Sequence, residues 1–235
     1  MIDPELWILV HGGPYAVEAM TERPDWAPPG MQGPILLALV KEALRLRRDA
    51  DMEGPLEEFR WAGRLLRRLS LRADLPADAL ARLLREAPWG ARLAAARNPR
   101  TPSGALQEAW DEAEQAYLGR RGRRLLQADK AVDLMAALAA NPNAPSEVLR
   151  GAAFSTAADV RGAAYVNPQM PEKIFLEAAE VMAQAGRFRD LGAMLVVREV
   201  PPSVLRWVVD HAGDTSTVAH AQMVLRMIRD RGLYE

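Results

Sequence analysis

The sequence predicts an all-α protein, an α-solenoid of stacked short helical repeats with an N-terminal helical cap. Three observations support this fold class. A phrase with two prolines recurs along the chain, apolar residues follow its second proline at helical spacing, and short runs of small residues precede it. Self-similarity at a period of roughly 20–50 residues is typical of repeat arrays rather than of globular enzyme folds.

The recurring phrase is Asn-Pro-x-x-Pro, followed four residues later by a large apolar residue. Three copies are complete, and two degenerate copies keep only the second proline and its apolar partner. We expect a repeat to start near each second proline. These are Pro76, Pro102, Pro145, Pro171 and Pro201.

The residues after each second proline predict a helix. Counting from that proline, positions 3, 4, 7 and 8 are apolar in all five copies, which is the spacing that lines one face of a helix. Proline suits the first helical turn, where its missing N–H needs no partner. The first proline of the phrase moves the residue before it out of the α region. We therefore expect Asn98, Asn141 and Asn167 each to end the preceding helix, so that the phrase forms a helix–helix corner.

The chain resembles the leucine-rich repeat variant family over about residues 74–212. That family has repeats built on a motif like Val-Arg-x-x-x-Ala-x-Asn-Pro-x-x-Pro-x-x-x-Leu. The segment from Val160 to Phe175 follows it with Tyr165 in place of the Ala, and the segment from Ala91 to Leu106 departs from it only at Ala91. The resemblance implies a solenoid of HEAT-like helical repeats. Some members hold a cysteine-ligated iron–sulfur cluster, but this chain has no cysteine, so no cofactor is expected.

The N-terminal part departs from the repeat. We expect residues 1–73 to form a helical capping region and residues 74–235 to form the array. The cap would contain one or two short helices in 4–20, an irregular crossing in 24–34, and helices opening at Pro34 and near Gly54-Pro55. A cap is needed because the end of a solenoid must not leave an apolar face in water.

The interval from Pro102 to Pro145 is 43 residues, whereas the other intervals are 26 to 30 residues. It predicts helices over 107–118 and 124–140, with a glycine-broken basic turn between them. Insertions in a repeat array map to loops on one face, often the binding face. We therefore expect the arginines of this turn to contact a partner. They are Arg120, Arg121, Arg123 and Arg124.

Charge is unevenly distributed although the net charge is −1. The balance is −6 over residues 1–59, +7 over 60–130 and −2 over 131–235. In the basic segment five arginines fall along one side of a predicted helix, namely Arg60, Arg64, Arg67, Arg68 and Arg72. Guanidinium groups bind phosphates bidentately, so this face could bind nucleic acid. The alternative is a solvated face that nearby carboxylates partly compensate, those of Glu57, Glu58, Asp74 and Asp78.

Composition narrows the class of protein. An apolar share of 49% with 26% charged residues is typical of a folded soluble chain. No run approaches 18 apolar residues and the first residues are acidic rather than basic, so we expect a cytoplasmic location and no membrane partner. The absence of cysteine excludes disulfides, thiolate metal sites and cysteine nucleophiles.

Three groups of residues resemble catalytic or metal-binding sites. The turn at 11–13 is like the His-Gly-Gly oxyanion turn of α/β-hydrolases, but no Gly-x-Ser-x-Gly elbow is present. Asp210, His211, Asp214 and His220 lack the established spacings of metal ligands. The carboxylates at 108–114 are typical of ion-pair and solubility devices on a helix. We therefore predict no enzymatic activity, no catalytic residue and no metal.

Two aromatic residues break the polar pattern at outward positions of the repeat. Six residues past the second proline, Trp207 stands where other copies have polar residues or Gly, and nine residues past it Phe154 does the same. Each is either a partner-facing anchor or, for Trp207, a residue that packs under the helix predicted over 215–229. A non-enzymatic protein-interaction scaffold is the function we expect, since stacked helical pairs present an extended binding surface. A nucleic-acid-binding solenoid that uses the Arg-rich 60–130 segment is the alternative.

Overall fold

The computed structural model describes residues 3, 4, 8, 11, 13–21, 27, 30–52, 56–119, 125–196 and 200–230. Within these residues thirteen helices are defined and no strand is present. The prediction of an all-α protein is therefore confirmed. Residues 120–124 of the basic turn, and residues 24–26, 28 and 29 of the predicted crossing, lie outside the described residues.

The chain divides into two compact units between Glu112 and Ala113. The first unit holds five complete helices and the start of a sixth. They are α1 (Gly13–Met20), α2 (Gln32–Met52), α3 (Leu56–Ser70), α4 (Ala77–Glu86), α5 (Trp89–Arg97) and α6 (Ser103–Leu118). In this unit α2 contacts α1, α3 and α4, while α5 contacts α3 and α4. Helices thus contact both their neighbour in sequence and the next but one.

The second unit holds the end of α6 and seven further helices. They are α7 (Leu125–Ala139), α8 (Ser146–Ala153), α9 (Ala158–Tyr165), α10 (Glu172–Gln184), α11 (Phe188–Leu195), α12 (Pro202–His211) and α13 (Thr215–Asp230). Here α8 and α9 both contact α7, α10 contacts α8, α11 and α12, and α13 contacts α11 and α12. The same pattern of neighbour and next-but-one contacts is present.

Every helix predicted from a second proline begins one residue after that proline. The prolines that precede α4, α8, α10 and α12 are N-caps with extended backbone, ψ lying between 134° and 160°. Each of these prolines therefore stands just before the first helical turn rather than inside it. The helix begins one residue later than the prediction that proline is its first residue. In all five copies the carbonyl of the second proline accepts the N–H of the apolar residue four positions later, at 3.1–3.2 Å.

The apolar positions of the repeat form the core. Of the twenty residues at positions 3, 4, 7 and 8, nineteen are buried and Val209 is half-buried. Leu80, Leu106 and Leu149 are at most 1% exposed and Phe175 is 3% exposed. Because these residues alternate three and four apart, each helix buries one face and leaves the opposite face to solvent.

A tight turn forms each of the three Asn-Pro corners. The N–H of the residue before the second proline donates to the carbonyl of the asparagine, from Thr101 to Asn98 at 3.0 Å and from Met170 to Asn167 at 3.0 Å. The equivalent bond of Ala144 is 2.9 Å. With proline at the second position, this is the usual sequence of a β-turn. All three turn residues that donate are buried, so the corner belongs to the core.

The side chains of Asn98 and Asn167 tie their corners to the preceding ones. Asn98 donates its amide to the carbonyls of Ser70 and Arg72, at 3.2 and 3.0 Å, and Asn167 donates to those of Ala139 and Asn141, both at 2.7 Å. The acceptors lie 28 and 26 residues earlier in both cases. These carbonyls stand at or just after the ends of α3 and α7, where helix carbonyls have no intrahelical partner.

Arg72 takes the asparagine position in the first, degenerate corner. Its Nη1 donates to the carbonyl of Thr21, directly after α1, at 3.0 Å, and its other nitrogens bind the carboxylate of Asp74 at 2.8 Å. A guanidinium thus satisfies a helix-end carbonyl as the asparagine amides do. The sequence placed Arg72 in the helical arginine stripe, and this prediction was wrong because α3 ends at Ser70.

The start of α2 differs from the prediction, and the end of α10 was not predicted. Helix α2 begins at Gln32 rather than at Pro34, which leaves the proline in the first turn where no N–H is needed. Helix α10 ends at Gln184 and is followed by Ala185 and by Gly186, whose φ is 66°. The N–H groups of Gly186 and Arg187 donate to Ala183 and Met182, at 3.1 and 2.8 Å, which is a Schellman motif.

Candidate functional site

Phe154 lies at the surface where α8 ends. The residue is 38% exposed, and the guanidinium carbon of Arg150 lies 5.9 Å from the centre of its ring. That distance is at the outer range of a cation–π contact. The outward position predicted for Phe154 is therefore the one that it occupies.

Buried groups on both sides fix the backbone at Phe154. The hydroxyl of Tyr165 donates to the carbonyl of Ala153 at 3.0 Å, and Arg161 donates to the carbonyl of Ser155 at 2.8 Å. Burial raises the pKa of Tyr165 to about 12, so the phenol keeps the proton that it donates. The ring is thus presented from a rigid support, which lowers the entropy lost when a partner binds.

Arg161 is the buried cation of this support. It is 7% exposed and also donates to the carbonyl of Thr156 at 3.0 Å and to the carboxylate of Asp190 at 3.0 Å. The hydrogen bond from Arg187 is the main reason that the pKa of Asp190 lies below its usual range, and Arg161 adds to it. Arg161 therefore has a structural role, since it joins α9 to the loop after α8 and to α11.

An ion pair connects α8 to α10 beside Phe154. Arg150 lies 2.7 Å from Glu177, the residue that occupies on α10 the position of Trp207 on α12. The first unit has a similar link, in which Arg85 of α4 lies 3.5 Å from Glu108 of α6. Arg150 is 57% and Glu177 25% exposed, while the partners of the Arg85 pair are 59% and 63% exposed. Exposed pairs contribute about 0–1 kcal/mol.

Trp207 lies half-exposed on α12. Its indole stacks on the ring of His211, one turn later, with centres 5.0 Å apart and planes at 11°. The Nδ1 of His211 lies 2.9 Å from the carbonyl of Trp207, and since a carbonyl only accepts, this nitrogen carries the proton. Neither aromatic anchor predicted from the repeat is fully buried.

The arginine stripe of α3 is exposed to solvent. Arg60, Arg64, Arg67 and Arg68 all lie on the surface, while Trp61, Leu65, Leu66 and Leu69 of the same helix are buried. Among the described side chains Arg60, Arg64 and Arg67 form no ion pair. They stand at i, i+4 and i+7, so their charges share one face of the helix.

Arg68 differs from the other three, because Glu18 of α1 lies 2.9 Å from it. The same carboxylate accepts the indole N–H of Trp61 at 2.6 Å. The sequence predicted compensation from Glu57, Glu58, Asp74 and Asp78. Asp74 does pair with Arg72, at 2.8 Å, while the side chains of Glu57 and Glu58 lie outside the described part of the chain. No spacing rule links Glu18 to residues 43 and 50 positions later, so this partner was missed.

The arginines of the basic turn lie outside the described residues, namely Arg120, Arg121, Arg123 and Arg124. The carboxylates of α6 are described, and Glu108 and Glu112 pair with Arg85 and Arg92, as an ion-pair role requires. Asp214 caps α13 by accepting the N–H and hydroxyl of Thr217, at 2.7 and 2.6 Å.

In the part of the chain that the structure describes, no helix is both long and apolar enough to cross a bilayer. No group of three histidine or acidic side chains in these residues is arranged to hold a metal ion.

The comparisons with known proteins give no family. No family model matches the chain, and no curated protein matches it. A solved structure described as a crystal structure of an engineered protein aligns over 98% of both chains, with 17% identity and a TM-score of 0.36. So low a score carries no argument, and membership of the leucine-rich repeat variant family stays a prediction.

Proposed function

We propose that this protein is a non-enzymatic helical-repeat scaffold that binds another protein. The partner would contact the outer face of α8, α10 and α12 in the second unit. Phe154 and Trp207 would be the aromatic anchors, and Arg150 and Glu177 would supply the polar contacts around them. The next-but-one helix contacts in each unit support a repeat scaffold, because repeat arrays place equivalent helices side by side.

The observation that carries this proposal is the position of the two aromatic rings. At positions where the repeat otherwise has polar residues or glycine, both rings remain partly exposed. Aromatic residues and arginine dominate interface hot spots, especially when polar groups surround them. Phe154 also rests on a buried hydrogen-bonded support, which a residue with no role at the surface does not need.

Affinity capture tests the proposal directly. A tagged wild-type chain and the double variant Phe154→Ala with Trp207→Ala are exposed to the same nuclease-treated extract. We expect one protein to be retained by the wild type and lost from the double variant. Nuclease treatment removes partners that are bridged by nucleic acid.

A matched control removes apolar surface of similar exposure elsewhere. Met223 and Met227 of α13 are 50% and 46% exposed, and the variant Met223→Ala with Met227→Ala should retain the partner. Thermal unfolding of all three proteins must show that each is folded. Equal capture by the wild type and both variants would reject the aromatic residues as anchors.

Nucleic-acid binding is the second candidate function, and the exposed Arg60, Arg64 and Arg67 of α3, which form no ion pair among the described side chains, favour it. Phosphate contacts make affinity fall steeply with salt, by about one power of the salt concentration for each phosphate neutralised. Affinity for a short RNA or DNA should then drop between low and physiological salt, and replacing Arg60, Arg64 and Arg67 by Gln should reduce the slope. If binding shows no salt dependence, or is absent at low salt, this candidate fails.

A further inference from the structure

A cleft of about 580 Å³ opens in the first unit. Among the described residues it is lined by Ile8, by Pro14 of α1, by one side of α2 and by Arg82 of α4. Small-molecule sites in proteins range from roughly 300 to 1,000 Å³. The cleft is thus large enough for a small organic ligand, and it lies in the first unit, whereas the proposed partner-binding face lies in the second.

Three residues of the lining are apolar, and we call them the base of the cleft. Ile8 and Ala38 are both 5% exposed and line the cleft together with Pro14. No charged group is contributed by these three residues. They offer a surface on which an aromatic or aliphatic part of a ligand can be buried.

The charged residues of the lining, which we call the rim, are mostly basic. Among the described residues they are Lys41, Arg45, Arg48 and Arg82, with Glu42 as the one carboxylate. Arg45 is already neutralised, because Glu42 lies 2.7 Å from it and Asp49 lies 2.6 Å from it. The hydrogen bond from Arg45 lowers the pKa of Glu42, so the pair stays intact at neutral pH.

Two cations of the rim remain available. Lys41 and Arg48 stand four residues before and three residues after Arg45, on the same side of α2. Neither forms a hydrogen bond or ion pair with another described residue. Arg82 pairs with Glu86 at 2.9 Å, but an exposed i,i+4 pair of this kind is weak and easily exchanged for a ligand.

We propose that this cleft binds a small phosphate monoester that carries an apolar or aromatic group. The phosphate contacts Lys41 and Arg48, and Arg82 joins them from α4. The apolar group lies on Ile8, Pro14 and Ala38. A phosphate dianion matches two unpaired cations, and guanidinium binds phosphate oxygens in pairs.

Isothermal titration with three probes separates the two halves of the site. The probes are 1-naphthyl phosphate, inorganic phosphate and 1-naphthol. We expect 1-naphthyl phosphate to bind at least about tenfold more tightly than either of the others, since only this probe uses both the cations and the apolar base. Inorganic phosphate equal in affinity to 1-naphthyl phosphate would overturn the proposal, and so would the absence of binding up to about 5 mM.

Charge variants test the assignment of the cations. Lys41→Gln and Arg48→Gln should each weaken binding of 1-naphthyl phosphate by about tenfold, as loss of one charge-assisted contact does. Both side chains are exposed, so folding is expected to be preserved, and circular dichroism checks this. Arg85→Gln is the matched control, since Arg85 is an exposed arginine of α4 that does not line the cleft. Unchanged affinity in both cleft variants, or an equal loss in the control, would show that the cleft is not the site.

Discussion

The side-chain amide of Asn167 donates a 2.7 Å hydrogen bond to the backbone carbonyl of Asn141, the asparagine of the preceding corner. Asn98 makes the same bond to the carbonyl of Arg72, again 26 residues earlier. In each case the amide bonds a second carbonyl 28 residues earlier, while the side-chain oxygen accepts the N–H two residues later. One side chain therefore shapes its own turn and joins it to the previous one.

This relationship predicts a large cost for losing the amide. Asn167 is 4% exposed, so Asn167→Ala leaves two buried carbonyls and one N–H without this partner. An unsatisfied buried polar group costs about 1–3 kcal/mol, and we expect the free energy of unfolding to fall by about 3 kcal/mol in total. Urea unfolding of the variant measures this.

The control for this prediction is Gln169→Ala. Gln169 is exposed, and only its backbone N–H bonds Asn167, so the change should stay within about 0.5 kcal/mol. A loss below about 1 kcal/mol in Asn167→Ala would mean that water replaces the amide at little cost.

Removing the buried cation of the second unit should be costly as well. Arg161→Leu deletes the donor to the carbonyls of Ser155 and Thr156 and leaves Asp190 with Arg187 alone. Breaking a buried ion pair typically costs about 3–5 kcal/mol, and we expect a value at the lower end because Asp190 keeps one partner. Arg150→Leu makes the same chemical change at a pair with the arginine 57% exposed, and should cost at most about 1 kcal/mol. Similar losses in the two variants, measured by denaturant unfolding, would contradict this account.

The lowered pKa of Asp190 predicts a pH dependence. Hydrogen bonds from Arg187 and then Arg161 favour the ionised carboxylate in the folded state. The stabilisation is therefore fully present above the pKa of the unfolded chain and is lost as the pH falls through the lower folded pKa. The difference in melting temperature between wild type and Asp190→Asn should be constant from about pH 7 to about pH 5 and shrink below about pH 4. A difference that grows on acidification would have the opposite sign and contradict the assignment.

The apolar frame of the repeat predicts which truncations are severe. Leu149→Ala and Phe175→Ala remove side chains that are 1% and 3% exposed, and such changes cost roughly 2–5 kcal/mol. Val181→Ala, at a position 45% exposed on α10, should change the free energy of unfolding by less than about 0.5 kcal/mol. Losses below about 0.5 kcal/mol at both core positions would mean that they behave as surface residues.

Much of the local structure was predictable because it depends on short-range rules. The second proline and the apolar residues three, four, seven and eight positions later predicted where five helices begin and which face each of them buries. Phe154 was expected at an outward position and lies there for the same reason. Helical periodicity and the φ of proline act within a few residues, so a single sequence contains them.

Contacts between distant segments were not predictable in this way. The acceptors of Asn98 and Asn167 are backbone carbonyls, which every residue has, so no side-chain pattern marks them. Arg72 was assigned to a helical stripe because it continued the spacing of α3, although it takes the place of an asparagine. Glu18 reaches Trp61 and Arg68 across 43 and 50 residues, and the support of Phe154 depends on Arg161 and Asp190, 29 residues apart.

Site-specific photo-crosslinking tests the proposed protein-binding face most directly. A benzophenone amino acid is introduced in place of Phe154, Trp207 or Met227, and each folded protein is irradiated in nuclease-treated extract. Met227 is the control, since it is 46% exposed on α13 and lies on none of the three helices of the proposed face. The account predicts that one and the same protein is crosslinked from positions 154 and 207 and not from position 227. No common crosslinked protein from 154 and 207, or equal crosslinking from all three positions, would contradict it.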